Sequence, residues 1–136
     1  MVMQRNKFIL CFSLVFCLVF GIAASAFAAV YEEGKWYDYS FTGSYTIDLG
    51  DRATTPSINF TTKPTLTSSN KISVTLEKQD KNSWNPVVQS FNYGTYEDTC
   101  ALNPQNSGAG KYRIVLQVVG NNDTKKGTFM YQDWNN

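Results

Sequence analysis

Histidine is absent from this chain of 136 residues, and cysteine occurs only three times. Without histidine the chain can build neither a Ser-His-Asp triad nor a His-ligated zinc site. Two of the cysteines, Cys11 and Cys17, lie in an apolar N-terminal run, so the rest of the chain keeps only Cys100. One thiol forms neither an internal disulfide nor a Cys-x-x-Cys metal clip.

The N-terminus has the layout of a secretory signal peptide. Arg5 and Lys7 precede an apolar run of about fifteen residues, shorter than the ~20 needed to span a bilayer. Small residues follow, and the A-x-A pattern ends at Ala28. We predict a signal peptide over residues 1–28 and one secreted domain over 29–136, with cleavage after Ala26 or an uncleaved anchor as the alternatives. Since secreted domains without disulfides are more usual in bacteria, we expect a bacterial, extracellular protein.

Charge of one sign is also scarce. Lys and Arg number 12 against 11 Asp and Glu, and Lys125-Lys126 is the only adjacent basic pair. A protein that binds duplex nucleic acid needs a cationic surface, and a peripheral membrane protein commonly carries a basic patch. We therefore expect no nucleic-acid partner and no stable membrane insertion after signal cleavage.

Alternation with a period of two dominates the mature chain. It is clearest in residues 71–77 and 111–118, where every second side chain is apolar, and no helical stripe occurs. Residues 127–131 resume the pattern after an Asn-rich turn, which predicts a hairpin with 111–118. Residues 36–49 form two strands, or one long strand bent at Gly43. Glu97 to Ala109 is predicted to be a long loop.

These segments together predict an all-β fold. About six to eight short strands separated by turns are typical of an antiparallel β-sandwich, here jelly-roll-like.

A likeness to a known family rests on residues 108–132, GAGKYRIVLQVVGNNDTKKGTFMYQ. This segment resembles the C-terminal hairpin of small secreted bacterial β-sandwich modules of the pre-peptidase C-terminal domain type. Residues 72–80, ISVTLEKQD, are similar to an earlier strand of the same kind of module. The resemblance implies an accessory, non-catalytic β-sandwich that contacts a cell surface or a polymer, and it assigns no binding residues. The aromatic N-terminal half departs from that family.

Little in the sequence favours catalysis or metal binding. Carboxylates are the remaining acid–base groups, so a glycosidase is the enzyme to consider, but a small domain seldom has a cleft that desolvates one acid. Cys100 has no histidine to hold its thiolate, so a buried side chain is preferred to a nucleophile. The acidic turns at 48–51 and 97–98 offer oxygen ligands for calcium but lack the D-x-[DN]-x-[DN]-G series. We predict no enzyme, no cofactor and no metal.

Aromatic side chains carry the most functional information. All eight Tyr and three Trp lie outside the leader, and such rings favour surfaces with one packed and one wet face. Tyr39 and Phe41 are expected in the core, whereas Trp36, Trp84 and Tyr96 are the candidate ligand-binding residues.

The function predicted from these rings is that of a binding module, with a glycan or cell-wall polymer as the first partner and a protein as the second. The alternatives are a small secreted toxin or antimicrobial protein, or an inhibitor of a secreted enzyme that uses the segment Glu97 to Gly110.

Overall fold

Eight β-strands make up the regular structure of residues 31–120 and 122–135, the part of the chain that the computed structural model describes. In chain order they are β1 (Tyr37–Phe41), β2 (Ser44–Arg52), β3 (Ile58–Leu66), β4 (Ile72–Asp80), β5 (Ser83–Asn92), β6 (Asp98–Leu102), β7 (Gly110–Val118) and β8 (Lys125–Asp133). Within these ranges there is no helix, and hence none that could span a bilayer. The predicted signal peptide, residues 1–28, lies outside the described residues.

The strands form two antiparallel sheets of four strands each. The first sheet has the order β1-β8-β3-β6 and the second has the order β2-β7-β4-β5. β1 lies against β2 at one side of the sandwich, and β5 lies against β6 at the other. The predicted antiparallel β-sandwich is therefore confirmed.

Alternating apolar side chains from both sheets meet in one core. The second sheet contributes, among others, Ile47, Val74 and Leu116, and the first contributes Phe60 and Phe129, all with no exposed surface. The rings of these two phenylalanines stack with centroids 5.7 Å apart. The period-two pattern thus predicted the buried face correctly, since successive side chains on a strand point to opposite faces.

Most aromatic side chains between Tyr31 and Phe60 also serve this core. Tyr39 and Phe41 are buried as expected. Tyr31 and Tyr37 meet edge to face with centroids 4.9 Å apart and pack on the same cluster. The aromatic enrichment around β1 is consequently structural, because these rings fill the space between the sheets.

Two local predictions were wrong. The segment from Glu97 to Ala109 contains β6, a five-residue strand whose Cys100 and Leu102 side chains point into the core. The predicted hairpin of 111–118 with 127–131 does not form, because β7 belongs to the second sheet and β8 to the first. The chain likewise changes sheets at Gly43, so residues 37–52 form two strands in different layers.

Candidate functional site

The three predicted ligand-binding residues lie in separate places. Trp36 precedes β1, an edge strand of the first sheet, and Trp84 lies near the start of β5, the edge strand of the second sheet on the opposite side. Tyr96 lies in the β5–β6 connection, at the end of the sandwich away from Trp84. The fold therefore does not assemble these three rings into one platform.

Trp84 packs against the outer face of the second sheet. The guanidinium carbon of Arg113 lies 4.3 Å from the centroid of the indole ring. Arg113 Nε donates a hydrogen bond of 2.6 Å to Glu77 Oε2 on the strand between them. One face of Trp84 is thus occupied by a cation–π contact that stabilises the sheet surface.

Exposed apolar side chains concentrate at one end of the sandwich. We call it the tyrosine end; it consists of the connecting residues 42–43, 67–71, 93–97, 119–120 and 122–124 and the strand ends beside them. Of the large apolar side chains that are exposed in the described residues, most lie here: Leu66, Phe91, Tyr93, Tyr96 and Val119. Trp36 and Trp134 lie elsewhere. Because clustered exposed apolar groups mark interaction surfaces, this end is the candidate functional site.

A pair of stacked tyrosines is the centre of this surface. The rings of Tyr93 and Tyr96 lie 5.1 Å apart at an interplanar angle of 25° and are 45% and 53% exposed. Lys71 Nζ lies 4.9 Å from the centroid of Tyr93. The backbone N–H of Tyr93 donates to Asp98 Oδ2 at 2.9 Å, so the start of the connection is tied to β6.

Lys125 is a buried residue that contacts the loops of the tyrosine end from the core side. Its side chain is 1% exposed, and its Nζ donates to the backbone oxygen of Asn70 at 2.7 Å. Burial lowers the pKa of Lys125, and the nearby Asp123 carboxylate acts in the opposite direction. Asp123 in turn accepts hydrogen bonds from Asn70 Nδ2 at 2.5 Å and from Ser68 Oγ at 3.0 Å.

Backbone contacts add to this network. Ser68 N–H donates to Gly94 O at 3.1 Å, and Val119 N–H donates to Lys71 O at 2.9 Å. A Cβ atom on Gly94 would lie 2.6 Å from the oxygen of Ser68 and 2.7 Å from Lys125 Nζ. Three connections from both sheets are therefore joined closely, which holds the tyrosine pair in place before any ligand binds.

The groups considered for catalysis or metal binding have structural partners. Asp48 Oδ1 accepts a hydrogen bond of 2.8 Å from the N–H of Gly50. Glu97 Oε2 lies 4.0 Å from Lys63 Nζ. No three acidic or cysteine side chains among residues 31–120 and 122–135 could hold a metal ion together. Cys100 is buried as expected, and burial raises its pKa to about 11. Its thiol therefore stays protonated at neutral pH, which does not suit a nucleophile.

Sequence reasoning missed two parts of the site. Tyr93 was not chosen, although it lies three residues before Tyr96 and follows directly after β5. Lys125 was noted only as a member of the one adjacent basic pair. Counting back in steps of two from the inward-facing Tyr131 and Phe129 through Gly127 leads to Lys125, so the alternation itself could have indicated its burial.

Comparisons with known proteins show a shared fold and no family. No protein-family model and no curated protein matches the chain. It is similar to the solved structure titled "Crystal structure of PirA", with 12% identity and a TM-score of 0.50 over 76% of this chain and 96% of that one. A structure titled "Carbohydrate-Binding Module CBM36 in complex with calcium and xylotriose" matches with 12% identity and a TM-score of 0.35 over 76% and 77%.

The class that the fold defines is thus a two-sheet antiparallel β-sandwich. The likeness to PirA concerns this fold alone, at an identity of 12%. A TM-score of 0.35 does not establish a shared fold with the second structure. The resemblance to the pre-peptidase C-terminal domain type extends no further than the sandwich, since no family model matches.

Proposed function

We propose that this protein is a secreted, non-catalytic module that starts at Ala29 and binds a glycan outside the cell through its tyrosine end. The observation that carries the proposal is the stacked, exposed pair of Tyr93 and Tyr96. Sugar rings have apolar C–H faces that pack on aromatic rings, while the hydroxyl groups at their edges need polar partners.

Polar groups suited to the hydroxyl edges of a sugar surround the pair. Lys71 lies over the ring of Tyr93, and Lys63 and Glu97 form an exposed ion pair at the same end. An ammonium group donates and a carboxylate accepts hydrogen bonds, so both needs of a hydroxyl group are met.

Rigidity of the surface also favours binding. The loop contacts through Lys125, Asn70 and Asp123 order the tyrosine end in the free protein. A ligand therefore binds a surface that is already ordered, so binding costs little additional conformational entropy. Preorganisation of this kind raises affinity.

The test is binding of the purified mature chain to a panel of insoluble polysaccharides and isolated cell walls. We compare the parent with Tyr96→Ala, Tyr96→Phe and Trp134→Ala. Loss of one aromatic stacking contact of about 1 kcal/mol should weaken binding by Tyr96→Ala roughly fivefold. Tyr96→Phe keeps the ring and should bind nearly as well as the parent. Trp134 is exposed at the opposite end, so its replacement is the matched control.

Other outcomes would contradict the proposal. If no glycan retains the parent, or if Trp134→Ala weakens binding as much as Tyr96→Ala, the tyrosine end is not a glycan platform. Sedimentation with neutral and anionic lipid vesicles is measured in parallel. Binding to vesicles without binding to glycans would support the toxin alternative instead.

A further inference from the structure

A second candidate site lies at the opposite end of the sandwich, under the β4–β5 hairpin. Along the inward face of β4, the apolar series that includes Leu76 gives way to Lys78 and Asp80, and these two side chains are partly or fully exposed. The end of the hairpin therefore projects beyond the core. Below it is an open depression of about 390 Å³, lined by Lys78, Gln79, Asp80, Asn85, Val87 and Ser107.

The wall of this depression opposite the hairpin is the segment around Ser107 and Gly108, and contacts to the core fix its position. The buried Tyr112 donates its hydroxyl hydrogen to Ser107 Oγ at 2.8 Å or to Gly108 O at 2.5 Å. The N–H of Gly108 donates to Thr55 Oγ1 at 2.7 Å. A Cβ atom at Gly110 would lie 2.7 Å from Cε of Lys78, so the glycine leaves space for the lysine stem. The depression is therefore part of the folded structure.

Lys78 brings a positive charge that no carboxylate neutralises by direct contact. None of the ion pairs found within the described residues includes it. Its Nζ donates to the backbone oxygen of Ser107 and lies 5.9 Å from the ring of Tyr112. An ammonium group has three N–H donors, so Lys78 keeps donors for a ligand.

The remaining lining groups suit a hydroxylated molecule. The amides of Gln79 and Asn85 can both donate and accept hydrogen bonds, and the Asp80 carboxylate accepts them. Val87 adds an apolar contact. The volume of about 390 Å³ lies at the lower end of the range for small-molecule sites, which fits one sugar unit.

From these observations we infer that the depression binds a carboxylate-bearing sugar unit. The Lys78 ammonium meets the ligand carboxylate, and Asn85 and Asp80 bind its hydroxyl groups. Because Asp80 repels a second negative charge, the ligand carboxylate is placed at the Lys78 side. The inference rests on the proposed glycan-binding function and gives it a preference for acidic glycans, at a site separate from Tyr93 and Tyr96.

The experiment titrates the full mature chain with sodium galacturonate and, separately, with neutral galactose. Amide NMR spectra are recorded at each point of the titration. Galacturonate should shift the amides around Lys78, Asn85 and Ser107 in a saturable way. Galactose should bind about tenfold more weakly, the difference that one charge-assisted hydrogen bond makes. Lys78→Met should remove this difference, and Lys78→Arg should keep it. Lys81→Met, an exposed lysine in the hairpin turn, is the matched control and should behave like the parent.

Several results would overturn the inference: no saturable shift at the depression, equal affinity for both sugars, or unchanged preference in Lys78→Met. If Lys78→Met does not fold, Asn85→Ala replaces it and should weaken galacturonate binding. The two proposals fail separately. Polysaccharide binding that depends on Tyr96, without galacturonate binding, removes only this site. Galacturonate binding without any role of Tyr96 removes only the tyrosine platform.

Discussion

Replacement of Lys125 by methionine tests how the tyrosine end is ordered. Methionine keeps most of the buried stem and removes the ammonium group. The backbone oxygen of Asn70 then loses its donor at 2.7 Å, and Asp123 loses a nearby cation.

The expected loss of stability follows from two opposed contributions. A hydrogen bond from a charged group contributes about 1.5–3 kcal/mol, and the partly buried backbone oxygen of Asn70 is left without this donor. Removal of the buried charge recovers part of its desolvation cost, the same cost that lowers the pKa of Lys125. We expect a net decrease of about 2 kcal/mol in the free energy of unfolding. For a domain of about 100 residues this lowers Tm by roughly 10 °C.

Urea and thermal unfolding measure the global effect, and amide hydrogen exchange measures the local one. The N–H groups of Ser68 and Val119, which join the loops, should exchange faster in Lys125→Met. Lys126→Met is the matched control, because this neighbouring lysine is exposed and its loss should change stability by less than about 0.5 kcal/mol. Equal stability of the two variants, or unchanged exchange at the two amides, would refute the assigned role of Lys125.

Two further predictions concern the loops and the core. Gly94→Ala places a Cβ atom 2.6 Å from Ser68 O, so thermal unfolding should show a decrease of at least about 2 kcal/mol in the free energy of unfolding. Thr95→Ala, at the next and exposed position, is the control and should be near neutral. Unchanged stability of Gly94→Ala would disprove the close loop contact. Burial raises the pKa of Cys100 from 9.0 to about 11, so the thiol of the unfolded chain loses its proton at a lower pH than the thiol of the folded protein. The contribution of the protonated thiol to stability is therefore fully present below pH 9 and decreases as the pH rises towards 11. Chemical unfolding at pH 8 and pH 11 should show that Cys100→Ala avoids about 2 kcal/mol of this loss, and parallel profiles for parent and variant would contradict the assignment.

The strands with strong alternation were predictable because their pattern is local. Ile72, Val74 and Leu76 face the core as predicted, and so do Tyr39 and Phe41. β6 was missed since five residues with two inward side chains give too short a pattern to stand out from a loop. The false hairpin of β7 and β8 arose because turn residues at 119–124 are compatible with a return to the same sheet or a crossing to the other one.

The exposure of the candidate binding residues was predictable only in part. The sequence pointed to Tyr96, Trp84 and Trp36 as amphipathic rings, yet ring type alone does not state what covers each face. Tyr96 stacks on Tyr93 and stays exposed, whereas Trp84 is engaged by Arg113.

The sequence by itself determined most of the strand-forming segments and the inward faces of the strongly alternating strands, and it excluded histidine chemistry, because composition and a period of two depend on neighbouring residues only. The tertiary structure alone decided the order of strands in the two sheets, the hydrogen bond from Lys125 to Asn70 and the depression beside Lys78. Each of these depends on residues far apart in the chain, such as Asn70 and Lys125. Such contacts arise when the two sheets pack together, and no local pattern records them.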